Sequence, residues 1–356
     1  MNKKCENLCR RLPKDGAALI AASHHLRYLT GFPSGDSWLL LTSETAYFLT
    51  DFRYIETAKA TLGGLTCLQI VSLSESLKEL FEKHGICRVY LEAAHTTLSA
   101  LSRLQKNIPT VEWDATNTLD NWLCEQRAVK DENEVRCILQ AQALCEQGFS
   151  HILPFIREGV TEREIALELE FYIRKQGAEQ TAFDFVVVSG ANTSLPHGIP
   201  TDKAVQKGDF ITMDFGAVVG GYCSDMTRTV ALGTITEEQH RVYQTVLQAQ
   251  QSALSVLRAG VLCRDADAAA RQVIEAAGYG ENFGHATGHG VGVEIHEQPN
   301  LSPRATDTVL KAGNVVTVEP GIYLEHRFGV RIEDMALITK DGYQNLTSCT
   351  KELICL

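Results

Sequence analysis

Hydrophobic and polar residues alternate in short runs near the start of the chain, and this pattern predicts strands and turns over residues 17–55. The apolar runs are AALIAAS, YLTGFPSGDSWLLLT and TAYFLTDFRY. Helical periodicity follows over 52–62 and 74–84, and CRVYLEA then predicts another strand. This succession of helices and strands indicates a layered α/β domain.

The second part of the chain contains an internal repeat at a constant offset of 101 residues. The segment IREGVTEREIALELEFYIRKQG (156–177) aligns with LRAGVLCRDADAAARQVIEAAG (257–278), and both copies end at a helix-stopping glycine. Long helical patterns precede the copies, over 132–153 and 236–256. The repeat predicts two similar helix-helix-strand halves with a site between them. Chance similarity of two amphipathic helices is the alternative.

A polar junction separates the two parts. The stretch CEQRAVKDENE (124–134) includes a favourable first helical turn, and we place the domain boundary there. The prediction is an amino-terminal domain of residues 1–125 and a second domain of residues 126–356. In the first domain, the side chains of HHLRYLTGF, beginning at His24 and His25, are expected to be solvated loop residues.

Composition limits the partners and the compartment. The net charge of -11 and the absence of a basic run exclude nucleic acid and anionic lipid as expected partners. No apolar segment is long enough for a membrane span, and no signal peptide is predicted. The 11 cysteines contain no C-x-x-C pair, so reduced thiols and a cytoplasmic location are expected.

Two aspartates interrupt the strand patterns of GDFITMDFGAVVGGYCSDMTRTVALG (208–233). The midpoint between Asp214 and Asp225 falls at Val219 and Gly220, where glycines should turn the chain. A hairpin closed there makes the aspartates direct cross-strand partners on one face. Adjacent like charges are destabilising unless a proton or cation lies between them. The alternative is another register, with one aspartate solvated.

Two more acids occupy similar positions near the end of the chain. Glu319 ends the apolar run NVVTVEPG, and Glu333 lies in FGVRIEDMALIT. Arg331 alternates with Glu333 on one strand face, where it can orient nearby carboxylates.

The segment GHATGHGVGVEIHEQP (284–299) carries three histidines among four glycines. The H-x-x-x-H spacing of His285 and His289 would suit a helix, but the glycines favour an extended segment. Such a segment lets the backbone pass close to a metal or a substrate. We therefore expect His289 to be a metal ligand and the other histidines to face the substrate.

Five ordered motifs resemble those of the Xaa-Pro peptidases, metallopeptidases with the pita-bread fold. They are SLPHG (194–198), MDFGAVVGGYCSDMTRT (213–229), TGHGVGVEIHE (287–297), VEPGIY (318–323) and VRIED (330–334). YLTGFPSGDSWLLLT and LTDFRYIETA extend the resemblance into the amino-terminal domain. The resemblance implies an α/β (α+β) chain: a creatinase-like amino-terminal domain, then a pita-bread catalytic domain with an internal pseudo-twofold repeat.

The resemblance also implies a two-metal centre. Asp225 and Glu333 would bridge both metals, Asp214 would bind one, and His289 with Glu319 would bind the other. The oxygen-rich donor set favours Mn²⁺, with Zn²⁺, Co²⁺ or Fe²⁺ as alternatives.

The catalytic and substrate-side residues are carried over from the same motifs. Five residues would contact substrate: His197, His285, His296, Tyr323 and Arg331. Our hypothesis is that Glu319 takes the proton of a metal-bridging water and that the resulting hydroxide attacks the carbonyl carbon. His296 would donate to the oxyanion, and His197 would serve the leaving proline nitrogen or the carbonyl.

The expected function is an Xaa-Pro aminopeptidase that acts on peptides with proline in second position, as a homodimer. A prolidase, which cleaves only the Xaa-Pro dipeptide, is the close alternative. A methionine aminopeptidase is disfavoured by the additional amino-terminal domain. A non-catalytic pita-bread binding protein is a remote alternative, because no ligand position is substituted. A two-histidine iron oxygenase does not fit the excess of carboxylates.

Overall fold

The computed structural model describes residues 1–33 and 35–356. It divides into two compact units, Met1–Arg127 and Ala128–Leu356. The sequence places this boundary at residue 125, within the helix that the structure extends from Thr118 to Ala128. Ser34, in the predicted strand-and-turn segment 28–42, lies outside the described residues.

The first unit is built on one six-stranded sheet with the strand order β4-β3-β2-β1-β5-β6. β2 is antiparallel to both of its neighbours, and the other neighbouring pairs are parallel. The strands are β1 (Gly16–Ile20), β2 (Ser37–Thr42), β3 (Ala46–Thr50), β4 (Thr66–Gln69), β5 (Arg88–Leu91) and β6 (Glu112–Asp114). The helices are α1 (Lys3–Cys9), α2 (Ser23–Thr30), α3 (Ile55–Thr61), α4 (Leu73–His84), α5 (Leu98–Asn107) and α6 (Thr118–Ala128).

The expectation of a solvated loop around His24 and His25 is wrong. These residues begin α2, and His25 is buried. Its Nδ1 lies 2.5 Å from Oε1 of Glu92, and Nη1 of Arg127 lies 2.7 Å from its Nε2. A buried imidazole needs hydrogen-bond partners for its ring nitrogens. Both partners of His25 are distant from it in the sequence.

The second unit contains four long helices and several small sheets. The strand orders are β12-β9-β8, β11-β10-β7, β14-β13-β15-β18-β19 and the pair β16-β17. The helices are α7 (Glu132–Ile152), α8 (Glu162–Lys175), α9 (Glu237–Val256) and α10 (Cys263–Ala276), with short 3₁₀ helices at Leu153–Phe155, Gly190–Ser194 and Gly280–Asn282. The strands are β7 (Gln180–Thr181), β8 (Val186–Ser189), β9 (Phe210–Phe215), β10 (Ala217–Val219), β11 (Tyr222–Cys223), β12 (Met226–Ala231), β13 (Gly288–Gly290), β14 (Glu297–Leu301), β15 (Val315–Val318), β16 (Gly321–Leu324), β17 (Phe328–Arg331), β18 (Asp334–Ile338) and β19 (Tyr343–Asn345).

The repeat predicted from the sequence is present in the helices. α8 and α10 begin and end at positions related by the predicted offset. Gly159 and Gly260, at equivalent places before these helices, both have φ of 91°. α7 and α8 contribute to one buried apolar cluster, and α9 and α10 to another. Each helix pair therefore packs into an apolar cluster of its own.

Capping side chains fix where the helices of the second unit begin. Asp131 and Glu134 form a capping box at α7, and Thr161 with Glu164 forms another at α8. In residues 1–33 and 35–356, no helix is long and apolar enough to span a membrane.

Candidate metal centre

Asp214 and Asp225 lie on a hairpin whose register differs from the predicted one. Gly220 and Gly221 form its two-residue turn, with φ of 59° and 81°. Asp214 consequently pairs with Thr227, and Asp225 lies just before β12. The expected direct pairing of the two aspartates is therefore wrong. Because Asp225 precedes Thr227 by two residues, the two carboxylates are diagonal neighbours on one face.

Glu319 and Glu333 both lie at strand ends. Glu319 follows β15, and its N–H donates to the carbonyl of Thr287 at 2.8 Å. Glu333 occupies a break between β17 and β18, where the predicted continuous strand is interrupted. Thr227 holds Glu333 by two hydrogen bonds. The carbonyl of Thr227 accepts from the N–H of Glu333 at 3.1 Å, and the hydroxyl of Thr227 donates to Oε2 of Glu333 at 2.8 Å. Because of this break, Glu333 is not part of the regular hydrogen-bonding pattern of β17 or β18.

His289 lies on the short strand β13, which confirms an extended rather than helical segment. The glycines at 288 and 290 serve the packing of this strand against its neighbours. A Cβ at Gly288 would lie 1.9 Å from the carbonyl oxygen of Thr317, and one at Gly290 would lie 2.5 Å from that of Gln298. Both glycines thus allow a close approach of neighbouring backbones. The predicted approach of this segment to a metal or a substrate stays a prediction.

The carboxylates and the imidazole converge. Nε2 of His289 lies 3.2 Å from Oε1 of Glu319 and 3.6 Å from Oδ2 of Asp225. One ligand atom from each of Asp225, His289 and Glu333 lies within 4.8 Å of the others. Asp214 is held by Arg331, whose Nη2 donates a hydrogen bond to Oδ2 of Asp214 at 2.7 Å.

The electrostatics of the cluster favour cations. Burial and the charge of Asp214 raise the pKa of Asp225 well above its usual range. Burial and the charge of Asp225 do the same for the pKa of Glu333. Burial opposes ionisation of Glu319, but hydrogen bonding and charge from His289 outweigh it and lower its pKa to about 2.

His289 shows the reciprocal effect. Burial would lower its pKa, but its contact with Glu319 and the charge of Asp225 raise that pKa to about 9. Oδ1 of Asp214 and Oε1 of Glu333 are buried atoms without a hydrogen-bond partner. Buried acceptors of this kind are costly unless something positive meets them. The residues therefore fit a pair of divalent ions in a hard, oxygen-rich donor set.

These side chains form part of the wall of a cavity of about 790 Å³. The cavity is also lined by four of the predicted substrate-side residues, His197, His285, His296 and Arg331. Tyr323 is not part of the lining. Its hydroxyl lies 2.9 Å from Nε2 of His285 and accepts from Nη1 of Arg331 at 2.9 Å. The Tyr323 hydroxyl thus bridges two lining residues, His285 and Arg331, without lining the cavity itself.

The neighbouring histidines have depressed basicity. Burial lowers the pKa of His285, and burial together with His289 lowers the pKa of His296. The ring of His296 lies 4.4 Å from that of His289, between centroids. Neutral imidazoles at this wall can donate an N–H without adding charge.

Two buried helix carboxylates hold the segments that carry histidines. Glu162 on α8 accepts hydrogen bonds from Ser189, Asn192 and Thr201, which flank the His197 segment. In the other half, Asp267 on α10 has a similar supporting role, although the repeat aligns Glu162 with Cys263.

Asp267 accepts from the N–H and hydroxyl of Thr287 at 3.0 and 2.9 Å. It also pairs with Arg271, which donates to the carbonyls of Phe283 and His285. The carbonyl of Thr287 in turn accepts from Glu319. Asp267 therefore supports both a histidine segment and a candidate ligand.

Sequence reasoning did not find these supporting residues or the apolar part of the lining. The missed lining residues include the apolar Phe183, Phe185, Ile199 and Ile295, and also the polar Asn300 and Ser302. The one available signal for Glu162 was its place in the first turn of a predicted helix, where an acid is also explained by the helix dipole.

Family models match both units of the chain. Residues 136–340 match the metallopeptidase family M24, and residues 7–129 match the creatinase/prolidase N-terminal domain. The chain belongs to metallopeptidase family M24. The predicted family is confirmed, and so is the fold class, a creatinase-like amino-terminal domain followed by a pita-bread domain. Peptidases of family M24 are dinuclear metal enzymes.

Relatives of this M24 peptidase include named dipeptidases. It is 35% identical to the Xaa-Pro dipeptidase of Pyrococcus horikoshii, over 99% of each chain. An Xaa-Pro dipeptidase structure from Bacillus anthracis superimposes with a TM-score of 0.95, at 39% identity and 99% coverage of both chains. The X-Pro aminopeptidase structure from Thermotoga maritima gives 0.92, at 37% identity, over 98% of this chain and 100% of that one.

Proposed function

We propose that this M24 peptidase is an Xaa-Pro dipeptidase, a prolidase. The observation that carries the proposal is the convergence of four acids and His289 on one cavity wall that also contains His197, His296 and Arg331. The names of its relatives favour the dipeptidase over the aminopeptidase that the motifs first indicated. The Thermotoga structure keeps the aminopeptidase as the second candidate.

The candidate ligands are those predicted from the motifs: Asp214, Asp225, His289, Glu319 and Glu333. Asp214 and Glu333 each offer an unpartnered oxygen, and His289 offers Nε2. Two divalent ions held there would lower the pKa of a shared water and polarise the scissile carbonyl. We propose Mn²⁺ as the native metal because hard oxygen donors predominate.

Three side chains would then accept or donate protons during the reaction. Glu319 is ionised at neutral pH, so its carboxylate can accept a proton from water. His296, whose pKa is lowered and whose ring lies beside that of His289, can donate an N–H to the developing oxyanion. His197, which is exposed in the cavity, is the candidate donor to the leaving proline nitrogen.

Arg331 gives the cavity a buried positive charge. Its guanidinium spans Asp214, the Tyr323 hydroxyl and the carbonyl of Pro196, the residue before His197. A dipeptide ends in a carboxylate immediately after proline, and an X-Pro amide has no N–H to recognise. We propose that Arg331 contributes to selecting this terminal carboxylate by its charge.

We further propose a homodimer in a reducing compartment such as the cytoplasm. The resemblance to Xaa-Pro peptidases supports the dimer, and light scattering on the purified protein tests it. The described cysteines are all free, which supports the compartment.

The test uses chelator-stripped protein reloaded with Mn²⁺ and given Ala-Pro and Ala-Pro-Ala separately, with products identified by mass. We expect hydrolysis of Ala-Pro and no release of Ala from Ala-Pro-Ala. Release of Ala from the tripeptide would make the protein an aminopeptidase. Hydrolysis of neither peptide, with metal bound at the expected stoichiometry, would overturn both proposals.

A further inference from the structure

The sheet of the amino-terminal unit has a topological switch point between β1 and β5. These adjacent strands are parallel, so their carboxyl ends lie at the same edge. The chain leaves β1 towards β2 on one side and leaves β5 towards β6 on the other. In open α/β sheets, the crevice outside such a pair of carboxyl ends is the usual place for a ligand.

A cavity of about 700 Å³ lies at this point. Ala21 and Ala22, just after β1, and Glu92, just after β5, are in its lining. All its lining residues belong to the amino-terminal unit, and none lines the cavity of the candidate metal centre. Its volume is within the range of small-molecule sites.

The lining contains one permanent cation, an arginine, together with two histidines. Arg103, His24 and His95 contribute to it, and Glu92 is its one acidic residue among the described positions. Both carboxylate oxygens of Glu92 already have hydrogen-bond partners. Its Oε2 accepts from the N–H groups of Ala21 and Ala22 at 2.6 and 3.0 Å, and its Oε1 contacts His25. An incoming anion would therefore meet a cation without an opposing free carboxylate.

Hydroxyl groups and apolar side chains complete the cavity. Ser23, Ser74 and Thr96 supply hydroxyls, which hydrogen-bond readily to carboxylate or phosphate oxygens. Trp38, Leu73 and Leu104 supply an apolar part of the wall. The ligand should therefore combine an anionic group with an apolar body.

The histidines of this region argue for an anion rather than a transition metal. Ligand nitrogens of His24, His25 and His95 lie within 4.8 Å of one another, as in a candidate metal site. Both nitrogens of His25 are engaged, however, by Glu92 and by the guanidinium of Arg127. A metal ion would have to displace that guanidinium and then sit beside its positive charge.

We propose that this cavity binds a small organic anion. Its carboxylate or phosphate group would face Arg103 with His24 and His95, and its apolar or aromatic part would lie against Trp38 and the leucines. This site is separate from the proposed peptidase function, and variants of its lining distinguish binding here from binding of a phosphate at the metal centre.

The experiment is calorimetric titration of the metal-loaded protein with phenyl phosphate, which carries one anionic group and one apolar ring. Benzyl alcohol, which lacks the charge, and inorganic phosphate, which lacks the ring, are the matched ligands. The variants are Arg103→Gln and, as a control in the same unit, Arg10→Gln, whose exposed side chain is not in the lining. Ala100→Trp, in the lining, fills the cavity without removing a charge.

We expect phenyl phosphate to bind more tightly than inorganic phosphate, and benzyl alcohol not to bind. Arg103→Gln should weaken binding of phenyl phosphate at least about tenfold, since it removes a charge-assisted contact. Arg10→Gln should change it less than about twofold, and Ala100→Trp should abolish it.

Three results would overturn the proposal. They are no binding of phenyl phosphate up to about 10 mM, equal effects of the two arginine variants, and Zn²⁺ uptake at this site that His95→Ala removes. The last would make the cavity a metal site. Because Arg103 is exposed, loss of folding is not expected to obscure its variant.

Discussion

Arg331 donates to Oδ2 of Asp214 at 2.7 Å, and the other oxygen of Asp214, Oδ1, has no hydrogen-bond partner. The guanidinium thus fixes the rotamer of the carboxylate and leaves one oxygen for a cation. Outer partners of metal ligands commonly orient them in this way.

Replacing Arg331 should therefore weaken metal binding as well as catalysis. We expect Arg331→Gln to lower Mn²⁺ affinity by about tenfold to a hundredfold. Metal titration followed by calorimetry measures this, and Arg327→Gln, nearby and exposed, is the control. Unchanged affinity with a raised KM would restrict Arg331 to substrate binding.

Glu162 is a positioning residue for the His197 segment. Its buried carboxylate accepts from both backbone and side-chain donors of Ser189 and Thr201. Glu162→Gln should leave buried donors opposed by an amide N–H, at a cost of about 2–4 kcal/mol in unfolding free energy. Catalytic efficiency should fall, while bound metal should remain at the wild-type stoichiometry.

Chemical denaturation, steady-state kinetics and metal analysis together test this prediction. The control is Glu164→Gln at the exposed capping position of the same helix, which should destabilise the protein much less than Glu162→Gln. Loss of metal from Glu162→Gln would show that the carboxylate supports the ligands instead.

Gly288 is required by the approach of two backbones. Gly288→Ala places a methyl group 1.9 Å from the carbonyl oxygen of Thr317, so β13 and β15 must separate. These strands carry His289 and lead into Glu319, and metal binding should fall with stability. Gly284→Ala is the matched control, since nothing lies within 4 Å of its added Cβ. Two variants with equal melting temperatures and metal contents would contradict the role given to Gly288.

Metal uptake should depend on pH in a defined direction. With its pKa raised to about 9, His289 holds a proton near neutral pH when no cation is bound, and the raised pKa values of Asp225 and Glu333 keep those groups protonated to a higher pH than usual. A metal must displace those protons, so its affinity should rise with pH, by about tenfold per pH unit for each proton released. Calorimetry in buffers of different ionisation enthalpy counts the protons. Affinity that is constant between about pH 6 and about pH 8 would contradict these directions.

Much of the local structure follows from the sequence by itself. The repeat predicted the second-unit helices because apolar periodicity and helix-ending glycines act within a few residues. The glycines around His289 excluded a helix for the same local reason. The donor types also follow directly, since four acids and one histidine in strand patterns require a positive charge wherever they meet.

Tertiary structure decided which groups meet and what holds them. The hairpin register moved because Gly220 and Gly221 both take positive φ, and a turn shifted by one residue changes the cross-strand partner of Asp214. His25 became buried because Glu92 and Arg127, far along the chain, supply partners for both ring nitrogens. Side-chain periodicity reports only which face is apolar. The identity of a polar group's partner depends on long-range packing, which no local pattern encodes.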